Sequence, residues 1–163
     1  VEWKDCFGYK EYSRLVEIIQ VIMEIAMKTV LLVFGTRPEA IKMCLDAGVS
    51  IDRITMSSDG NGSMPAFNDK GELTVLIAAS PRSVYEAVRN IVKKGILPME
   101  DALKPVTVNP ATSLKLPNKG KVKVGFDADF VILDEQLNIR HVFAKGRCMV
   151  KDQQVVAKGV FEK

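Results

Sequence analysis

The fold is decided by ITMSSDGNGSMP, residues 54–65. Residues 54–58 favour a β-strand, and Asp59 follows at once, before a segment dense in Gly, Asn, Ser and Pro that is predicted to continue neither strand nor helix. An Asp at the exit of a strand, with a Gly-rich loop behind it, stands where (β/α) barrels place catalytic groups. A strand end with an Asx turn explains the same residues, so both interpretations stay open at this point.

The composition limits the classes of protein that fit. A chain of 163 residues is too short for a complete eight-fold barrel, while its 47% hydrophobic residues are enough for a sizeable core. The net charge of +3 comes from scattered basic residues, which gives no support to nucleic-acid binding.

Membrane insertion and a disulfide framework are not expected either. The most apolar window, residues 15–34, is interrupted by Glu17, Gln20, Glu24 and Lys28, so we predict neither a membrane span nor a signal peptide. The chain has three cysteines far apart, without a CxxC pair: Cys6, Cys44 and Cys148. This pattern favours reduced thiols and a cytoplasmic location.

The sequence pattern in the first third of the chain predicts a helix, a strand and a second helix. An apolar face over residues 13–26 predicts a helical segment, and Thr29–Phe34 reads as a buried strand. A helix over Pro38–Ala47 follows, with Thr36 as its N-cap and Glu39 completing a capping box. The Gly-Thr-Arg turn at residues 35–37 suits a bound phosphate, and an ordinary strand–helix turn explains it equally well.

Residues 27–43, MKTVLLVFGTRPEAIKM, resemble the start of the non-hydrolysing UDP-N-acetylglucosamine 2-epimerases. The resemblance implies that Arg37 and Lys42 approach a nucleotide sugar, and it makes residues 1–26 a helical extension. It stops after residue 43 and carries no complete epimerase site.

From Cys44 onward the chain is similar to the isoaspartyl (β-aspartyl) dipeptidases of the metal-dependent amidohydrolase superfamily. The similarity rests on four stretches: LDAGVSIDRITMSSDGNGS (45–63), ASPRSVYE (79–86), DALKPVT (101–107) and GFDADFVILD (125–134). The last of these, a G-x-D-A-D with an apolar strand behind it, marks the superfamily's β domain.

The expected fold class is α/β: an incomplete C-terminal piece of a metal-dependent (β/α)8 barrel over 44–117, then a small antiparallel β domain over 118–163. Gly48 is predicted to end a helix, and further helices are predicted from Ser80-Pro81 to Gly95, from Pro98 to Leu103, and after an Asn109 cap. The β domain is predicted to contain strands at 122–124, 130–133, 139–144 and 148–150.

The resemblance assigns chemistry to two residues. Asp59 corresponds to the aspartate that contacts the metal-bound water, acts as general base towards the scissile amide of a β-aspartyl dipeptide and then protonates the leaving amine. It also makes Asp59 a metal ligand on the condition that a metal site is completed. Ser63 corresponds to a serine that contacts the substrate carboxylate, and a loop serine capping a turn is the competing interpretation.

The zinc ligands of that family have no counterpart here. The resemblance implies two zinc ions held by an H-x-H pair, two later histidines and a carboxylated lysine, whereas this chain has one histidine, His141, in a predicted β-domain strand. A catalytic zinc normally takes three protein ligands. We therefore expect no zinc on this chain alone, and no activity.

Three interpretations of the whole chain remain. The first is a dipeptidase fragment joined near Met43–Cys44 to the start of an epimerase, within a predicted helix. The second is a non-enzymatic module that binds a nucleotide sugar through Gly35–Arg37. The third is a protein that associates, with itself or with another chain, through unpaired strand edges.

Overall fold

The structure is a computed structural model that describes residues 32–34, 38–58, 60, 62–78 and 80–159. The chain divides into two compact units, the first ending at Pro110 and the second beginning at Ala111. The helix predicted over 13–26 and the Thr36 cap lie outside the described residues.

The first unit opens with a strand–helix–strand element. Strand β1, Leu32–Phe34, runs parallel to β2, Ile54–Met56, and helix α1, Pro38–Asp46, connects them along the chain. Parallel neighbours need such a crossover, which is the repeating element of an α/β barrel. This observation confirms the predicted fold class, and α1 passes through Met43–Cys44 without a break.

Gly48 ends the turn after α1, as predicted. Its backbone has a φ of +83°, and its N–H donates to the carbonyl of Leu45 at 2.9 Å. Glycine reaches this left-handed conformation without the cost that a side chain adds.

A β-hairpin follows, and its first strand corrects the prediction that the Gly/Asn/Ser/Pro segment holds no strand. Strand β3, Ser63–Phe67, pairs antiparallel with β4, Leu73–Ala78. Pro65 lacks an N–H for a sheet ladder, but both strands of a two-stranded sheet are edges, where proline is tolerated. The turn is closed by Asn68, whose Oδ1 accepts the N–H groups of Lys70 and Glu72 at 3.0 Å each.

Three helices complete the first unit and lead into the second: α2 (Ser83–Lys93), α3 (Met99–Leu103) and α4 (Val108–Ser113). Two boundaries correct the sequence analysis. Helix α2 starts at Ser83, after a turn in which Ser80 accepts the side-chain hydroxyl of Ser83 at 2.6 Å. Asn109 is the second residue of α4 and therefore does not occupy the N-cap position. Gly95 ends α2 at a φ of +67°, as predicted.

The core of the first unit combines α1, β2, α2 and α3. Its buried members are Ile41, Cys44, Val49, Ile54, Met56, Ala87, Val88, Ile91 and Ala102. Burial raises the pKa of the Cys44 thiol to about 11, so this cysteine stays protonated at neutral pH and acts as a core side chain. Cys44 and Cys148 are both free thiols.

The second unit contains a four-stranded antiparallel sheet in chain order. Its strands are β5 (Phe130–Leu133), β6 (Ile139–Ala144), β7 (Arg147–Lys151) and β8 (Gln154–Val155). The rings of Phe130 and Phe143 stack across β5 and β6 with centroids 4.6 Å apart. The antiparallel domain is thus confirmed, with β8 as a strand that the sequence analysis missed.

The predicted strand at 122–124 is wrong. Its alternating Lys and Val residues have no strand partner in the described chain, and Val122 and Val124 are 84% and 99% exposed. A period of two makes a strand only where another strand supplies the ladder. Separately, no helix among the described residues is long and apolar enough to cross a membrane.

Candidate functional site

Strand β2 supplies the base of the candidate site. Ile54, Thr55 and Met56 are all buried, and because β1 and β2 are parallel, both end at the same edge of the sheet. The carboxyl edge of parallel strands is where α/β proteins bind substrates. In the sequence, Arg37 and Asp59 each come three residues after the last residue of one of these strands, and their own positions lie outside the described residues.

The beginning of β2 is held by Asn109. Its buried side-chain amide nitrogen donates to the carbonyl oxygens of Ile51, at 2.8 Å, and Ile54, at 2.7 Å. Sequence reasoning missed this contact because Asn109 before Pro110 suggested a helix cap, and no local pattern indicates a bond across more than fifty residues. Asn109 thus fixes the strand at the end opposite the candidate site.

The loop after β2 is tight. The N–H of Gly60 donates to Oγ of Ser58 at 3.1 Å, so the residues on the two sides of position 59 are hydrogen-bonded to each other. A Cβ at Gly60 would lie 3.0 Å from Ser58 Oγ and 3.2 Å from Cγ of Pro81, so glycine suits the space. Asp59 itself lies outside the described residues, and its catalytic role stays a prediction.

Ser63 begins β3, where its backbone is opposite Ala78. Its side chain is outside the described part of the chain, so its contact with a substrate carboxylate also stays a prediction. Ser63 follows Asp59 by four positions in the sequence and is the first residue of β3.

Of the two nucleotide-sugar candidates, the structure describes Lys42 alone. Arg37 lies outside the described residues, and Lys42 is exposed on α1, where its ammonium pairs with Asp46 at 2.7 Å. A pair at this spacing is an ordinary feature of a helix surface. The nearby Glu39 forms an ion pair with Lys94, which ties α1 to the end of α2.

The described donors do not fit the zinc site that the resemblance implies. No group of three or more His, Cys, Asp or Glu side chains that could hold a metal occurs in the described part of the chain. His141 lies on β6, where its Nδ1 accepts the N–H of Asp152 at 3.4 Å and its Nε2 is 3.8 Å from Asp152 Oδ1. A zinc site needs further ligands around one point.

The aspartates of the G-x-D-A-D motif have a structural role. The ammonium of Lys119 contacts Asp127 at 2.7 Å and also pairs with Asp129, whose Oδ1 accepts the N–H of Lys145 at 2.6 Å. The hydrogen bond from Lys119, followed by that from Lys145, holds the pKa of Asp129 below its ordinary value. Asp127 and then Asp129 raise the pKa of Lys119. The motif thus connects the entry of β5 to the β6–β7 turn.

Comparison with known families gives one match over most of the chain. The model of the Amidohydrolase family matches residues 20–159. This range includes residues 27–43, for which the sequence analysis gave a resemblance to an epimerase, and that resemblance stays a prediction.

The relatives include enzymes of three classes. An adenine deaminase of Geobacillus kaustophilus is 42% identical over 76 residues, which are 45% of this chain and 13% of the deaminase. An N-acetylglucosamine-6-phosphate deacetylase of Lysinibacillus sphaericus is 37% identical over 75 residues, 46% of this chain and 19% of the deacetylase.

The third class comes from a solved structure. A β-aspartyl dipeptidase of Fervidobacterium islandicum AW-1, in complex with the dipeptide β-Asp-Leu, superposes with a TM-score of 0.71 at 33% identity, covering 95% of this chain and 40% of the dipeptidase. The chain therefore spans less than half the length of each of these relatives.

Proposed function

The chain belongs to the amidohydrolase family, and from that premise we propose that it forms the last part of the barrel and the β domain of a hydrolase that cleaves β-aspartyl dipeptides. The observation that carries the proposal is the likeness to the Fervidobacterium dipeptidase, because it extends over 95% of this chain. The solved N-acetylglucosamine-6-phosphate deacetylase of Pasteurella multocida covers 80% of this chain, at a lower TM-score of 0.60 and 16% identity, against 0.71 and 33% for the dipeptidase.

In the proposed reaction Asp59 is the general base. Hydrolysis of a β-aspartyl bond requires water to attack the side-chain amide carbonyl and a proton to reach the leaving amine. A carboxylate beside the scissile bond takes the proton from the water and returns it to the nitrogen. The buried strand β2, the Asn109 anchor at its start and the Ser58–Gly60 hydrogen bond support this role, because they restrain the chain on both sides of position 59.

Ser63 is proposed to bind the substrate. Its hydroxyl would donate a hydrogen bond to the carboxylate of the dipeptide, a bond strengthened by the charge of the acceptor. The family is generally metal-dependent. We propose that the zinc ligands are residues outside the described part of this chain.

A chimera tests the proposal. Residues 44–163 replace the matching region of the Fervidobacterium dipeptidase, and hydrolysis of β-Asp-Leu is measured with and without Asp59→Asn. We expect turnover by the chimera and a decrease in kcat of about 100-fold or more in the variant, since a positioned general base contributes at least that factor. Asp69→Asn, in the exposed hairpin turn, is the matched control and should leave kcat unchanged.

Adenine and N-acetylglucosamine 6-phosphate serve as competing substrates. A folded chimera that processes either one in preference to β-Asp-Leu would contradict the proposed substrate class. Full activity in Asp59→Asn would contradict the role of Asp59, and an equal loss in Asp69→Asn would assign the effect to folding.

A further inference from the structure

The loop after β2 lies against the turn that precedes helix α2. Strands β3 and β4 pair Ser63 with Ala78, and three positions beyond that pair the two chains reach Gly60 and Pro81. These two residues lie close to each other, because a Cβ on Gly60 would be 3.2 Å from Cγ and 3.7 Å from Cβ of Pro81. The contact thus joins the two ends of the hairpin at the residue that follows Asp59 in the sequence.

Pro81 is held from the side of helix α2. The carbonyl of Ser80 accepts the backbone N–H of Ser83 at 3.1 Å and its side-chain hydroxyl at 2.6 Å, so two hydrogen bonds close the turn that contains Pro81. Helix α2, which follows this turn, packs in the same core as Ile54 and Met56 of β2. The pyrrolidine ring fixes the φ of a proline at about −65°. Pro81 is thus a rigid group attached to the core that includes β2.

Gly60 is held from the side of β2. Its N–H donates to Oγ of Ser58, which follows the buried strand by two residues. A side chain at position 60 does not fit, because its Cβ would lie 3.0 Å from Ser58 Oγ as well as 3.2 Å from Pro81 Cγ, and both distances are shorter than an ordinary van der Waals contact. The backbone at position 60 is therefore confined between Ser58 and Pro81.

A general base must be placed accurately. A displacement of about 1 Å lowers the rate by a factor of up to about 100, even when its cause lies away from the reacting atoms. Supporting residues therefore hold catalytic side chains to within about 0.5 Å of the productive geometry. On the premise of the proposed function, in which Asp59 is the general base, we propose that Pro81 is a positioning residue whose ring limits the movement of Gly60 and thereby of Asp59. In this role Pro81 acts through Gly60 and needs no contact with the substrate.

A double-mutant cycle in the chimera with residues 44–163 tests this role, and kcat and KM for β-Asp-Leu are measured. Gly60→Ala pushes the backbone away from Pro81 and should lower kcat about 30- to 100-fold, with KM within about twofold of the parent value. Pro81→Ala removes Cγ and keeps Cβ, and alone it should lower kcat about threefold, because the movement of Gly60 is no longer limited. The double variant should match Pro81→Ala within about twofold, since the remaining contact, with Ser58 Oγ, is relieved by rotation of that side chain.

Pro98→Ala is the matched control, because Pro98 is also exposed and also precedes a helix of the first unit. It should leave kcat unchanged, and Gly60→Ala should have its full effect in that background. The urea midpoint of each variant is measured, so that kcat is compared among folded proteins. A decrease in kcat that appears only together with a lower urea midpoint would assign the effect to folding and overturn the role of Pro81.

The failure of this role and the failure of the proposed function give different results. If Gly60→Ala lowers kcat by the same factor in the parent and in the Pro81→Ala background, the role of Pro81 is wrong, whereas the loss of kcat in Asp59→Asn still supports the proposed function. If the chimera prefers adenine or N-acetylglucosamine 6-phosphate, the proposed function is wrong, and the same cycle measured with that substrate decides the role of Pro81. A chimera that turns over none of the three substrates would overturn both proposals.

Discussion

At the scale of single residues, the side chain of Asn109 connects helix α4 to the start of β2. It donates to two carbonyls, and Asn109→Ala would leave the buried oxygen of Ile54 and the partly buried oxygen of Ile51 without this donor. Leaving a buried acceptor unsatisfied costs about 1–3 kcal/mol, so we expect the free energy of unfolding to fall by an amount in that range. Urea unfolding followed by circular dichroism measures the change.

Asn118→Ala is the control for this variant, because it is the same asparagine-to-alanine substitution at an exposed position. Its urea midpoint should match that of the parent. Equal midpoints for all three proteins would show that the hydrogen bonds of the Asn109 amide do not contribute to the free energy of unfolding. The proposal that Asn109 restrains β2 would then be wrong.

At the scale of elements, the ion pairs of Lys119 connect the entry of β5 to the β6–β7 turn. The pKa of Asp129 is depressed in the folded chain from an ordinary value of 3.8 by Lys119 and by the N–H of Lys145. A carboxyl with a depressed pKa stabilises the fold at pH values above 3.8 and loses that contribution as the pH falls towards its folded pKa. The protection factors of the sheet amides, which are corrected for the intrinsic pH dependence of hydrogen exchange, should therefore decrease below that pH.

Asp129→Asn removes the titrating group and should make exchange in β5–β7 faster at neutral pH, with a weaker dependence on acid. Glu135→Gln, in the exposed turn between β5 and β6, should retain the parent profile at neutral pH. A parent and an Asp129→Asn variant with the same acid profile would assign the pH dependence to other carboxyls.

The elements also show which features can be predicted from the sequence. Strands 130–133 and 139–144 were predicted with their observed bounds, since apolar runs between turn residues indicate strands whatever lies beside them. The hairpin was missed because Pro65 and the glycines before it argue against a strand, although β4 has a strand-type sequence. The strand at 122–124 was predicted wrongly, because alternation says nothing about whether a partner strand is present.

At the scale of the whole molecule, the fold class followed from the sequence while the site did not. A strand, a helix and a second strand indicate an α/β element by their periodicity, whereas the resemblance of the G-x-D-A-D motif implied the β domain that follows. A catalytic site, by contrast, is a spatial arrangement of residues from distant parts of a chain. The contact of Asn109 with Ile51 and Ile54 is an example of such an arrangement, which no local pattern announces.

The last prediction concerns the isolated chain of 163 residues, which we expect not to hydrolyse β-Asp-Leu in the presence of zinc. A catalytic zinc normally takes three protein ligands, and the one histidine of the chain, His141, contacts Asp152 within the β6–β8 sheet. Zinc titration by calorimetry should give the same weak binding for the parent and for His141→Ala, and neither should turn over the dipeptide. The chimera with residues 44–163 is the positive control under the same conditions. If the isolated chain hydrolyses the dipeptide and Asp59→Asn abolishes this turnover, the chain must complete a metal site without histidine ligands or with a histidine of a second copy. The argument from the single histidine would then be wrong.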